Sequence, residues 1–201
     1  MTLRTVRLIA VVVGLFSPAA YAQGPPQPAR ETPDFSVQVW GVATADFDAR
    51  MSHYAELRAR LQEGLTPLKV TDNPRDILRA EFALARRIRA ARRGAHTGDI
   101  FTGEIGAAFK QALILETRSA TCASIADDNP GDFSYSVNDT YPKRRALSTV
   151  PPGILMLLPR LPEDVYYRFV GQHLILHDTR ANIVLDDLAD AIDCRHVANA
   201  R

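Results

Sequence analysis

The sequence predicts an α+β fold, in which an N-terminal layer of about three helices packs on a small C-terminal antiparallel sheet of three strands. Between Phe47 and Leu113, apolar residues recur every three or four positions, which is the period of a helix with one buried face. Between Tyr166 and Asp187, apolar and polar residues instead alternate around Gly171-Gln172, which is the period of strands joined by a tight turn.

The first 22 residues have the pattern of a secretory signal peptide. Arg4 and Arg7 precede an apolar run over residues 8–16, and Ala20-Tyr21-Ala22 supplies the small residues of a cleavage site. The run is shorter than the roughly 20 residues that a membrane-spanning helix needs. We therefore expect export to the periplasm or secretion, with an uncleaved interfacial helix as the alternative.

Residues 23–34 contain four prolines and no apolar periodicity, which predicts a flexible leader. We expect residues 35–201 to form a single α+β domain. Without residues 1–22, the chain has 22 basic and 23 acidic residues, a formal net charge of −1. A nearly neutral chain gives no electrostatic reason to expect nucleic acid as a partner, and no later segment has the length of a membrane span.

Three longer helices are expected in the first half of this domain. The first carries an apolar stripe from Phe47 and ends near Gly64; the second begins at Pro74, after a cap at Asp72 or Asn73. Thr102 is the expected cap of the third helix. Residues 120–150 are polar and predict a long ordered loop, and a short apolar helix follows Pro151-Pro152.

Strand alternation sorts the C-terminal side chains into two faces. A turn at Gly171-Gln172 pairs Val170 with His173 and Tyr166 with His177. The third strand has two possible registers, and its apolar residues are satisfied when Ile183 and Leu185 face the core. The core face is then Tyr167, Phe169, Leu174, Leu176, Ile183 and Leu185, and the outer face includes Arg168, His173, Ile175, His177, Val184 and Asp186.

Two histidines and one carboxylate on the outer face, His173, His177 and Asp186, are ligand types suited to zinc, nickel or copper. His96 is a further candidate ligand. His173 and His177 are four residues apart on one strand, about 13 Å between their backbones, which opposes joint ligation of one ion. The alternative is a half-polar sheet face in contact with water. His96 and Asp99 also resemble a proton-transfer pair, but a turn at Gly98-Asp99 explains them equally.

Five arginines form a stripe on the predicted second helix. They fall within roughly 80° of one another at 100° per residue, and Phe82 lies within the stripe. Such a stripe indicates an anion-binding or partner-binding surface, and a solvated helix face with long apolar stems is the alternative. The candidate partner-binding residues are Arg75, Arg79, Phe82, Arg86, Arg89 and Arg93.

The two cysteines, Cys122 and Cys194, are 72 positions apart. An even number of cysteines in an oxidising compartment favours a disulfide, and two buried thiols are the alternative.

The C-terminal motifs resemble those of a known group of proteins. LPRLPED (residues 158–164) and the following YYRFVGQHLILHDTRANIVLDD are similar to the signature L-P-x-L-P-E-x-L-x-Y-R-F-V-G-x-x-L-I-L-x-D-x-x-A-N-L-I-V-D of a group of uncharacterised exported bacterial proteins. IRAARRGAHTGDIFTGE resembles their upstream A-R-x-x-A-x-x-G-D-I-F. The chain departs from the signature at Val165 and at residues 185–187. The resemblance implies no reaction or ligand, because the group has no established activity.

No motif of the sequence indicates catalysis. The chain contains no G-x-S-x-G elbow, H-E-x-x-H pair, phosphate-cradling glycine loop or C-x-x-C pair. We expect no cofactor, and we predict a non-enzymatic exported binding or interaction module, with a periplasmic protein as its partner. A metal- or small-anion-binding protein and an unrecognised hydrolase are the alternatives.

Overall fold

The computed structural model describes residues 37–65, 73–117 and 119–194, which all belong to one compact unit. The predicted signal peptide and leader lie outside the described residues. The α+β class is confirmed, with five described helices rather than about three. The elements are α1 Val37–Gln62, α2 Pro74–Ala91, α3 Gly103–Glu116, α4 Ser119–Asp128, α5 Pro152–Leu157, β1 Val165–Val170, β2 His173–Asp178 and β3 Ile183–Leu188.

The helix boundaries follow local capping chemistry where the sequence offers it. Asn73 accepts a hydrogen bond from the backbone N–H of Arg75 at the start of α2, and Thr102 accepts one from Ile105 at the start of α3. Helix α1 begins ten residues before the predicted stripe at Phe47. Helix α4 was missed within the predicted loop, because its polar sequence buries little beyond Cys122 and Ile125.

An aromatic cluster joins α1, α3 and β1. The Phe47 ring lies 5.0 Å from that of Phe109, 5.7 Å from that of Phe101 and 6.2 Å from that of Tyr167. The ring of Trp40, near the start of α1, lies 5.4 Å from the ring of Phe109. Because these rings bury large apolar areas, they fix the helical layer against one face of the sheet.

The hairpin of β1 and β2 has the predicted register. Val170 pairs with His173 and Tyr166 with His177. Gly171 adopts φ +57° in the turn, and a Cβ at this position would lie 1.7 Å from a carboxylate oxygen of Asp132. Glycine is therefore required both for the backbone conformation and for the close approach of Asp132. The six predicted core residues of the sheet are all buried, as expected.

A β-bulge in β3 overturns the predicted position of Asp186. His177 pairs with Val184, but Leu176 pairs with Asp186, so Leu185 is an extra residue in β3. Because of the extra residue, the side chains after it point to the faces of the sheet opposite to those predicted. Asp186 consequently faces the helical layer instead of the histidines, and Asp187, paired with Ile175, takes the outer position.

The inward Asp186 is fully buried and fixes the turn that precedes α3. One carboxylate oxygen accepts hydrogen bonds from the backbone N–H groups of Gly98 and Asp187, and the other from those of Ile100 and Phe101, at 2.6 to 2.9 Å. Four donors compensate the burial of this carboxylate.

Most of the outer face of the sheet is covered rather than wet, which corrects the alternative of a solvated sheet face, although Tyr166 at its end is exposed. Residues 129–150, here named the cover segment, place Phe133, Tyr135 and Tyr141 on Val170, Ile175 and Val184. Near β3, the backbone N–H groups of Asn138 and Tyr141 donate to the carbonyls of Val184 and Asn182. The segment thereby covers the β3 edge of the sheet.

The disulfide that the sequence favours is present in the structure. Cys122 of α4 is bonded to Cys194, with 5.5 Å between their Cα atoms. This bond ties the helix that precedes the cover segment to the segment that follows β3.

Candidate functional site

The arginine stripe of α2 lies on the exposed side of the helix. Arg75, Arg79, Arg86 and Arg93 are exposed, and the side chain of Arg79 contacts only Asp76, at 3.2 Å, among the described residues. Phe82, between them, is 56% exposed. An exposed aromatic ring among arginines has the composition of a protein–protein contact site.

Arg89 does not belong to this exposed set, which corrects one predicted partner-binding residue. Its Nε donates to the carbonyl oxygen of Asn138 at 2.8 Å, and another guanidinium nitrogen donates to the hydroxyl of Thr140. Arg89 lies towards the cover segment and holds it against α2. The neighbouring Arg92 does the same, because its guanidinium donates to Asn138 Oδ1 and to the carbonyl of Leu185.

The cover segment adds cations next to α2. Lys143 Nζ lies 2.7 Å from Glu81 Oε2, at the α2 residue that precedes Phe82. Lys143 and the following Arg144 are both exposed. Sequence periodicity does not reveal them, because they are some 60 positions from α2. We name as the basic face the set Arg75, Arg79, Phe82, Arg86, Arg93, Lys143 and Arg144.

The predicted metal ligands are not brought together. His173 Nδ1 lies 3.0 Å from both carboxylate oxygens of Asp187, and His177 Nε2 lies 3.0 Å from Asn182 Oδ1. Asp186 points to the other side of the sheet, and His96 Nδ1 is paired with Asp99 at 3.1 Å. Within residues 37–65, 73–117 and 119–194, no group of three His, Cys, Asp or Glu side chains is arranged to hold a metal ion.

His173, Asp187 and Tyr135 form a polar cluster that the sequence did not predict. The Tyr135 hydroxyl donates to Asp187 at 3.1 Å, and burial together with the Asp187 charge raises the pKa of Tyr135 above its ordinary value. Tyr135 therefore stays protonated and anchors the cover segment to β3. A position for Asp187 in this cluster becomes evident only once the bulge at Leu185 is known.

A buried ion pair lies at the opposite end of β2. Asp178 is fully buried and accepts hydrogen bonds from Tyr54 at 2.5 Å and from Arg58 at 3.1 Å. Burial and the Asp178 charge raise the pKa of Tyr54, so that its hydroxyl remains a donor. These groups satisfy one another and join α1 to the sheet, which is a structural role.

An open cleft between α1 and the end of α2 is lined by charged side chains that are already paired. Arg50 contacts Asp46 at 3.1 Å and donates to the carbonyl of Asp99 at 2.8 Å. Arg92, also in the lining, makes the contacts with the cover segment and β3 given above. The cleft therefore offers a ligand fewer free charges than the basic face does.

Stability is expected to fall on mild acidification because of His177. This side chain is 2% exposed, and burial lowers its pKa below the ordinary value of 6.5. As the pH falls, His177 therefore binds a proton more readily in the unfolded chain than in the folded one. Its contribution to stability is present above pH 6.5 and is lost as the pH falls below it. The loss from this residue should be detectable between pH 7.5 and 5.5.

Urea unfolding of the protein and of His177→Gln, each at pH 7.5 and at pH 5.5, checks this. Glutamine can still donate to Asn182 but does not titrate. The variant is expected to lose less stability than the parent over this range. Equal losses in the two proteins would contradict a neutral, buried His177.

Comparison with protein-family models, with curated proteins and with solved structures finds no match to this chain. None of the described helices is long and apolar enough to cross a bilayer. The disulfide is compatible with a location outside the cytoplasm, where such bonds persist.

Proposed function

We propose that the protein is an exported, periplasmic or secreted, non-enzymatic interaction module that binds an acidic protein partner on the basic face. The resemblance to exported bacterial proteins and the signal-peptide pattern support the location. The exposed stripe of α2 supports the mode of binding.

One observation carries the proposal, which is the local concentration of positive charge. The basic face has six exposed cationic side chains, of which Arg79 and Lys143 are paired with Asp76 and Glu81, whereas the chain without residues 1–22 has a formal net charge of −1. Such a separation of charge steers an acidic surface to this side of the molecule.

The exposed Phe82 gives the face an apolar centre. An aromatic side chain surrounded by arginines is desolvated when a partner covers it, and interface residues of this kind contribute most of the binding energy. The arginine stems add apolar contact, and their planar guanidinium groups bind carboxylates with two hydrogen bonds.

The test uses residues 23–201 and a fluorescein-labelled peptide of alternating glutamate and leucine as an acidic probe. In Arg86→Glu/Arg93→Glu, we expect roughly tenfold or greater loss of affinity in fluorescence anisotropy at low salt. Lys110→Glu/Arg160→Glu has the same change in net charge on α3 and on the segment before β1, and should lose less than about twofold.

Equal losses in the two variants would show that only the net charge matters, and would refute a specific basic face. No measurable binding of the peptide by the parent protein would also refute it. Far-ultraviolet circular dichroism and thermal unfolding of each variant exclude misfolding, since all four positions are on the surface.

A further inference from the structure

Four buried polar atoms have no hydrogen-bond partner among the described residues. One is Asp128 Oδ1 at the end of α4, and the other three are Glu81 Oε1 on α2, Arg168 Nε on β1 and His177 Nδ1 on β2. An unpaired buried polar atom costs free energy, so a group of three calls for a physical explanation.

Arg168 and His177 are neighbours on the sheet, and Glu81 is connected to them through the cover segment. Arg168 is opposite Ile175, and His177 is two residues further along the same face of β2, so the two are diagonal neighbours across the strand pair. The Tyr141 ring lies 5.0 Å from the His177 ring, and Lys143, two residues later, contacts Glu81. The charges of Arg168 and Glu81 lower and raise the pKa of His177, respectively, which fits this proximity.

The hydrogen-bonding role of His177 follows from its neighbour Asn182. The Asn182 Nδ2 donates to the carbonyl of Tyr141 at 3.1 Å, so its Oδ1 is turned towards His177 Nε2, 3.0 Å away. An amide oxygen only accepts, so Nε2 carries the proton. In the neutral ring, Nδ1 is then an acceptor.

The unpaired set therefore consists of two acceptors, Glu81 Oε1 and His177 Nδ1, and one donor, Arg168 Nε–H. A cation would not accept the Arg168 proton, and an anion without hydrogens would not donate to Glu81 or His177. A neutral molecule with two donor hydrogens and a free lone pair matches all three. Water is the smallest such molecule, and buried waters typically make about three hydrogen bonds.

We propose that Glu81, Arg168 and His177 form a binding site for one buried water molecule, which joins α2 to the sheet beneath the cover segment. The water donates to Glu81 Oε1 and His177 Nδ1 and accepts from Arg168 Nε. It completes the contact between the helix with the basic face and the hairpin.

A crystal structure of residues 23–201 at a resolution better than about 2 Å tests the site. We expect one ordered water within about 2.7–3.2 Å of all three atoms. A direct ion pair between Glu81 and Arg168, with no water between them, would overturn the proposal. So would a site without ordered solvent.

A second measurement does not depend on crystals. Water–protein cross-relaxation in solution is expected to show a long-lived water next to the ring protons of His177, and this signal should disappear in Glu81→Leu. Glu104→Leu, an exposed position on α3, serves as the control and should keep the signal. Absence of a long-lived water at His177 in the parent protein would overturn the proposal, as would its persistence in Glu81→Leu.

Discussion

Replacement of Asp186 by asparagine is expected to lower the free energy of unfolding by about 3 kcal/mol or more. The carboxylate accepts four backbone N–H groups, and an asparagine of the same shape presents an NH₂ group to at least one pair of these donors. Losing charge-assisted hydrogen bonds while burying unpaired donors is among the costliest changes in a protein interior. Urea unfolding followed by circular dichroism measures the effect.

The adjacent residue provides a matched control. Asp187→Asn makes the same chemical change one position later, where the carboxylate is partly exposed and contacts His173 and Tyr135. We expect a cost of about 1 kcal/mol or less. The reverse order, with Asp187 the costlier position, would mean that β3 has no bulge at Leu185.

Removal of the disulfide is expected to have the second large effect. In Cys122→Ser/Cys194→Ser, the unfolded chain regains the freedom of a loop of 72 residues, which destabilises the fold by about 4 kcal/mol in the entropic account. The melting temperature of the parent protein should therefore fall strongly in the presence of a reductant.

The serine variant is the control for the reductant. Its melting temperature should be low and should not change further on reduction. A parent protein that melts at the same temperature with and without reductant would contradict a stabilising bond between α4 and the C-terminal segment.

The hairpin was predictable because its physics is local. The tight turn at Gly171 and the alternation of Phe169, Leu174 and Leu176 define both register and buried face without reference to other parts of the chain. The caps Asn73 and Thr102 were predictable for the same reason, since each side chain bonds backbone N–H groups within three residues.

The bulge in β3 was not predictable from alternation. Residues 183–187 are three apolar residues followed by two acidic ones, so alternation does not locate the extra residue, which instead meets a distant requirement. The backbone N–H groups of Gly98, Ile100 and Phe101 need an acceptor, and an inward Asp186 supplies it. His173 and Asp187 are on different strands, so the sequence did not reveal their contact. For that reason the sequence suggested a metal site for His173.

The cover segment was hidden by its composition. Residues 129–150 are mostly polar, but three aromatic side chains, spaced along the segment, bury the apolar outer face of the sheet. Its contacts with Arg89 and Arg92 could not be inferred from helix periodicity. Periodicity predicts the side of the helix on which a side chain lies, but not what it contacts. The stripe of arginines on α2 was predictable. The sequence did not show that Arg89 contacts the cover segment while the other arginines of the stripe are exposed.

Photo-crosslinking from Phe82 tests the central claim most directly. The residue is replaced by p-benzoylphenylalanine in the exported protein, and Tyr166, which is 47% exposed on the far side of the sheet hairpin from the core, receives the same replacement as a control. The account predicts one discrete adduct from position 82, with an acidic protein identified by mass spectrometry, and its loss in the Arg86→Glu/Arg93→Glu background. No adduct from position 82, or the same adducts from both positions, would contradict the basic face as the partner-binding surface.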